Sequence, residues 1–385
     1  MKKALFILSL LVTSLQGFAE SRVWVSPLEI MPGEKGYLRV NYEFDAGHTI
    51  CNYQMKVNLP DGVTVDGTSV VLGSCHTGHT GSIVNNVLVV TSMNAVLQGT
   101  SGVLVEIPVV ADGSLTAGTK LEGNLENVKL GQTNETSINS TGITFDVDIV
   151  DYILLDENSI TAPPSSATTK KVKVKRIIKA GEWSTLCLPF DMTADEVKSI
   201  FGNDVKLAYF VGYDTTKDGS DVTGININFE EDDLSEGFSG NYPYMILTSN
   251  DITEFTITKA LNFDDVVEVY KSGKKTMGQF IGTYQAETVV PENSLFISNN
   301  KFYYSKGKTK MQGFRAYFTL QDILSNVANA ATRITMSFGG ETTGIQEVRG
   351  SNVNMEGIYD LQGRRVTKAL KKGLYIKNGK KTVIK

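Results

Sequence analysis

The sequence predicts an all-β chain, and three observations predict it. Apolar and polar residues alternate with a period of two over most of residues 20–155 and, in shorter runs, over 170–340. Glycine is abundant at 36 and proline scarce at 9, the balance expected when tight turns join many strands. Valine, isoleucine, threonine and tyrosine crowd the alternating runs, and such side chains suit a pleated sheet. Of 385 residues, 41% are hydrophobic and 21% charged. That is apolar mass enough for two or three cores, each serving roughly 100–200 residues.

Residues 1–19 come first. Met1-Lys2-Lys3 is a basic start, Ala4 to Val12 is apolar, and Gly17-Phe18-Ala19 offers small residues before Glu20. This is the pattern of a secretory signal peptide. No later stretch reaches the ~20 apolar residues that span a bilayer, so the expected location is secreted, extracellular or on the outer-membrane surface.

Residues 20–155 are expected to form an antiparallel β-sandwich or jelly roll. The strand candidates are Arg22–Ser26, Gly36–Phe44, Ile50–Leu59, Thr68–Gly73, Ile83–Ser92, Gly102–Ala111, Leu121–Leu130 and Ile143–Asp151. Residues 156–169 are polar, Pro-paired and Ser/Thr-rich, which predicts a linker. Residues 170–340 are expected to form a second, mostly β domain with one or two short helices. Thr193-Ala-Asp-Glu196 has the form of a capping box opening a helix to Phe201. A second brief helix is expected at Leu320–Ala328. Residues 341–356 are again polar and expected as a linker. Residues 357–385 then read as three short strands with turns at Gln362-Gly363 and Asn378-Gly379, an Asn-Gly pair being the strongest short hairpin signal.

The charge is uneven. The last 29 residues hold nine basic side chains against Asp360 alone, a balance of +8, and residues 1–19 add +2. The chain as a whole is −5, so residues 20–356 carry −15. An acidic body argues against nucleic acid as a partner, because phosphate binding needs clustered basic charge.

Three stretches carry a family resemblance. Residues 52–65, 88–94 and 102–112 resemble a cohesin-like domain of the carbohydrate-binding-module sandwich type. The run from Gly181 to Phe190, with Phe314-Arg-Ala-Tyr-Phe318, looks like a module of secreted Bacteroidota (Bacteroides- and Prevotella-like) proteins. Residues 357–366 and 373–385 resemble the C-terminal sorting domain of type IX secretion, in a shortened form. Together these resemblances imply a cell-surface protein of binding or adhesion, with polysaccharide capture as its setting.

The candidate chemistry is sparse. His48, Cys51, Cys75, His76 and His79 hold all three histidines and two of the three cysteines. These are zinc-ligand types. Outside the cytoplasm, however, two thiols in one domain usually pair, so a Cys51–Cys75 disulfide is expected ahead of separate thiols and ahead of zinc. The histidines are then expected in exposed loops, and Cys187, between Leu186 and Leu188, as a buried and inert thiol. Lys171, Lys173 and Lys175 form a stripe that reads as a solvated strand face before it reads as an anion site. The acidic stretches 214–221 and 230–233 lack the spacing of a calcium loop. Aromatic faces stack on sugar rings, and parity sets Arg315 and Tyr317 opposite Phe314, Ala316 and Phe318, and Tyr303 opposite Phe302 and Tyr304. Tyr303, Arg315 and Tyr317 are therefore the expected binding residues.

No G-x-S-x-G elbow and no H-E-x-x-H run occurs. The expectation is a non-enzyme without cofactor or metal, whose partner is a glycan or a surface protein. The alternatives are a glycoside hydrolase or accessory of polysaccharide breakdown, built on two carboxylates, and a structural scaffold subunit.

Overall fold

The structure is a computed structural model. It describes residues 21–140, 142–162, 164–219, 221–263, 278–320 and 333–338, and the backbone of strands at 341–346, 358–359, 373–377 and 380–384. The signal peptide expected at 1–19 lies outside the described residues. So does the expected second helix beyond Leu320. The fold is all-β, as the alternation predicts, and among the described residues the single α-helix is Ala194–Phe201. That helix has the capping box: Glu196 N–H donates to Thr193 Oγ1 at 3.3 Å, and Thr193 N–H donates to the Glu196 carboxylate at 2.8 Å. No helix among the described residues is long and apolar enough to cross a membrane.

The chain divides into two compact units. The first comprises residues 1–175 with 256–260 and 285–287; the second comprises 176–255, 261–284 and 288–385.

The first unit is a sandwich of two sheets. One has five strands: Arg22–Val25, Lys35–Glu43, Ser101–Ala111 and Val63–Val65 in that order, with Val71–Leu72 also on Ser101–Ala111. The other has seven. Its order is Leu28–Ile30, Ile143–Ile149, Lys120–Gln132, Ile50–Asn58, Val87–Thr91, Thr80–Val84, with Ser137–Ser140 added beside Lys120–Gln132. Period-two alternation turns Leu38, Val40 and Ile107 of the first sheet and Met55, Leu88 and Val147 of the second into one core, all with no solvent exposure. Each such side chain contributes roughly 1.5–3 kcal/mol by leaving water. The pairing is not purely antiparallel, because Leu28–Ile30 runs parallel to Ile143–Ile149.

The segment expected as a linker at 156–169 is built structure over its described residues. Asp156 ends the strand Ile153–Asp156, which lies parallel to Ser166–Ile178. Ser159, Ile160 and Thr161 all donate to the buried Glu106 carboxylate. Polar composition signals solvent only when nothing buried needs those hydrogen bonds, and here Glu106 does.

The second unit holds a six-stranded sheet in the order Ser184–Leu186, Tyr244–Leu247, Lys206–Asp218, Asp221–Asp232, Arg333–Phe338, Glu341–Gln346. The expected linker at 341–356 therefore begins as a strand; 347–356 lie outside the described residues. A four-stranded sheet follows the order Gln279–Thr283, Arg315–Thr319, Ser294–Ser298, Lys301–Tyr304. Phe210, Phe229, Phe280, Phe318 and Phe338 share one aromatic core with Trp183. Within it Phe280 and Phe318 lie parallel at 4.3 Å between centroids, and Trp183 stacks on Phe338 at 4.0 Å. At the C-terminal end Ile358–Tyr359, Gly373–Lys377 and Lys380–Ile384 form a three-stranded sheet, with Lys377 opposite Lys380 across the expected Asn-Gly turn.

Candidate functional site

The second unit's four-stranded sheet has one face in the core and one face out, and the outer face is the candidate site. Residues directly opposite on neighbouring antiparallel strands share a face. Phe280, Phe318 and Leu295 face the core. Their neighbours one residue along therefore face the other way: Ile281 opposite Tyr317, and Phe296 opposite Tyr303. Extending the Leu295–Phe318 register by one residue sets Phe296 beside Tyr317. The result is a row of four, Ile281, Tyr317, Phe296 and Tyr303, one from each strand, all half-buried. Phe296 and Tyr303 lie within 21° of parallel at 5.6 Å. With strands ~4.8 Å apart, the row spans roughly 15 Å.

Hydrogen-bonding side chains flank the row. On one side Thr319 Oγ1 donates to Gln279 Oε1 at 3.1 Å. On the other, Arg315 lies opposite Thr283, and its Nη2 donates to Gln312 Oε1 at 2.6 Å. The structure thus brings the three expected residues Tyr303, Arg315 and Tyr317 onto one sheet face. Phe296 and Ile281 were not expected there. Parity in Ser294–Ser298 holds the signal for Phe296, since Leu295 is buried and its neighbour must turn outward.

The cysteine and histidine group resolves differently. Among the described residues no disulfide forms, and the expected Cys51–Cys75 bond is absent. The two sulfurs have separate surroundings. Cys51 Sγ stands 3.6 Å from the Gly131 carbonyl on a neighbouring strand, while Cys75 is buried with Sγ 3.3 Å from His76 Nδ1 and 3.8 Å from the Val103 carbonyl. The histidines are half-buried rather than exposed. His76 Nδ1 must donate to the Gly73 carbonyl at 2.8 Å, so Nε2 accepts from Tyr53 Oη at 3.0 Å. That tautomer leaves no basic nitrogen aimed at Cys75, so the pair is not a Cys–His nucleophile. His48 Nε2 is held by the Gly99 carbonyl at 2.9 Å. Among the described residues no group of three or more His, Cys, Asp or Glu side chains is placed to hold a metal.

Burial pushes the His76 imidazole down to about 4. The unfolded chain then binds a proton near pH 6.5 that the folded chain refuses until about pH 4. Stability is full above pH 6.5 and falls as pH drops through that window. His76 is partly exposed, so after screening the loss is roughly 1–2 kcal/mol. Thermal unfolding at pH 7 and pH 4.5 checks it: the melting temperature gap narrows in His76→Gln.

Cys187 is buried, its thiol pushed up to about 12 by burial and placed 3.9 Å from Tyr284 Oη. Alkylation of the native chain followed by peptide mass spectrometry is expected to label the half-buried Cys51, and Cys187 only after unfolding.

Two of the three lysines of the stripe are ion-paired. Lys171 pairs with Asp151 at 2.8 Å, Lys175 with Glu29 at 2.5 Å, and Lys173 lies over the Tyr152 ring at 5.2 Å. The acidic stretches lie in and beyond a long hairpin of the second unit. There Asp214 accepts from Asn228, and Asp232 and Asp233 accept backbone N–H groups two residues on.

No family model matches the sequence, and no curated protein matches it. Among solved structures the chain is similar to cohesin modules. One, in the Coh-OlpA-Doc918 cohesin–dockerin complex of Clostridium thermocellum, is 10% identical, with 34% of this chain and 99% of that chain covered and a TM-score of 0.30. A cohesin module from the family 33 glycoside hydrolase of Clostridium perfringens is 11% identical, covering 34% and 95%, with a TM-score of 0.28. A non-cellulosomal cohesin from Archaeoglobus fulgidus is 15% identical, covering 34% and 92%, with a TM-score of 0.28.

Proposed function

We propose that this is a non-catalytic saccharide-binding protein, acting outside the cell, with the outer face of the four-stranded sheet as its binding platform. One observation carries the reading: Tyr317, Phe296 and Tyr303 stand side by side on neighbouring strands, facing away from the core. Ring faces stack on the C–H face of a sugar, and the flanking Gln279, Thr319 and Arg315 offer hydrogen bonds to its hydroxyls. A row of roughly 15 Å suits a short stretch of a chain better than a single sugar. Residues 1–19 would direct export, and the basic segment 357–385 would attach the protein to an anionic surface. A glycan array probed with the full chain tests the reading. Retention of extended oligosaccharides supports it, and a blank array or release of reducing ends from the retained glycans counts against it.

A second reading rests on Val84, Val87 and Val89 in the first unit. They are 55%, 39% and 40% exposed on one face of two paired strands, where alternation normally places polar side chains. A protein partner would cover them. A partner captured from a surface extract and lost from a Val84→Glu/Val87→Glu chain with an unchanged glycan profile would favour it.

A further inference from the structure

A second site lies in the first unit, on the outer face of its seven-stranded sheet. A concavity of about 230 Å³ opens there, lined by Asn52, Gln54, Val89, Thr91, Lys129 and Ser137 among others. The register explains it. Lys129, Gln54 and Val89 form one row across three strands, and in the next row Gly131 stands opposite Asn52. A Cβ on Gly131 would meet Asn52 Oδ1 at 2.1 Å. The missing side chain lets the Asn52 amide lie across the strand.

Lys129 is distinctive by its charge environment. Residues 21–162 contain six basic side chains, and five are in ion pairs: Arg22 with Glu43, Lys35 with Asp66, Arg39 with Glu106, Lys56 with Glu126 and Lys120 with Asp148. Lys129 alone has no carboxylate partner among the described residues, although the body of the chain is strongly acidic. The side chains of Gln54 and Thr91 beside it likewise make no hydrogen bond to a described residue. A surface evolved only for solubility in an acidic protein has little reason to leave one ammonium unmatched in a hollow beside the Gln54 amide and the Thr91 hydroxyl.

We infer that this concavity binds a hexuronate, a sugar unit carrying one carboxylate. The Lys129 ammonium takes the carboxylate. The amides of Asn52 and Gln54 and the hydroxyls of Thr91 and Ser137 both donate and accept, as a polyhydroxylated ring requires. The Val89 methyl groups meet its C–H face. No bond is made or broken. The site is independent of the aromatic row and stands or falls on its own residues.

Titration of the full chain with glucuronate, galacturonate and short oligouronates, read by ligand-observed NMR, tests it, with neutral hexoses and acetate as comparisons. Uronates are expected to bind, more weakly as ionic strength rises. Lys129→Met is expected to reduce the affinity at least tenfold, while Lys120→Met, the same change at the exposed start of the same strand and outside the concavity, leaves it unchanged. Lys129 is exposed, so its replacement leaves the fold intact, and an unchanged circular dichroism spectrum checks that. Absence of uronate binding, equal binding of neutral hexoses or of acetate, or full affinity in Lys129→Met would each overturn the assignment.

Discussion

Replacing Glu106 with alanine is expected to destabilise the first unit by about 3–5 kcal/mol, the usual cost of removing one partner from a buried ion pair. Glu106 has no solvent exposure. Its carboxylate accepts from Arg39 Nε at 2.9 Å, Ser159 Oγ at 3.1 Å, Ile160 N–H at 3.2 Å and Thr161 Oγ1. Arg39 is itself 12% exposed in its side chain and donates from Nη1 to Asp156 at 3.0 Å. Burial works against the Arg39 charge, but Asp156 and Glu106 outweigh it and hold its pKa above the ordinary value. Without Glu106 the guanidinium keeps one carboxylate, and the Ile160 N–H and the Thr161 hydroxyl lose their acceptor, while Ser159 Oγ keeps the Thr161 carbonyl at 2.7 Å. Hydrogen exchange of residues 101–111 and 156–161 in urea, read by mass spectrometry, isolates this unit from the other. A triple change, Arg39→Met with Glu106→Leu and Asp156→Asn, is expected to cost less than Glu106→Ala alone, because it removes the whole charge cluster rather than one member of it. A Glu106→Ala loss below ~1 kcal/mol would show that the network contributes no more than an exposed pair.

The second large effect is expected at the aromatic row. Truncating a ring at the centre of a binding surface commonly costs more than ~1 kcal/mol, several-fold to tenfold or more in affinity. Phe296 stands between Tyr317 and Tyr303, so Phe296→Ala breaks the row in the middle and is expected to weaken saccharide retention more than Tyr303→Ala at its end. Affinity electrophoresis in polysaccharide gels ranks the single variants. Arg315→Ala is expected to change which glycans bind more than how tightly, since it flanks the row. Equal retention of all three variants would place the binding surface elsewhere.

Much of this was legible in the sequence, and the reason is local. Strand alternation, the Thr193–Glu196 capping box and the C-terminal hairpin are set by residues within a few positions of one another. Parity alone sets Arg315 and Tyr317 opposite Phe314, Ala316 and Phe318, and Tyr303 opposite Phe302 and Tyr304. What was not legible depends on distant partners. Residues 156–161 look like a linker because their polar groups serve Glu106, more than 50 positions away. Cys51 and Cys75 suit a disulfide by the expected compartment and by spacing, but one sulfur faces a neighbouring strand's carbonyl and the other the sandwich core. Phe296 joins Tyr317 and Tyr303 only once the order of the four strands is known. Lys129 is one lysine among many until the other lysines and arginines of residues 21–162 are seen to be paired.

The most direct measurement is isothermal titration of the full chain with an oligosaccharide retained on the array, against the Phe296→Ala/Tyr303→Ala/Tyr317→Ala variant. Saccharide binding through the four-stranded sheet requires that the variant, folded by circular dichroism, lose at least a hundredfold in affinity. Undiminished affinity in the folded variant would contradict it.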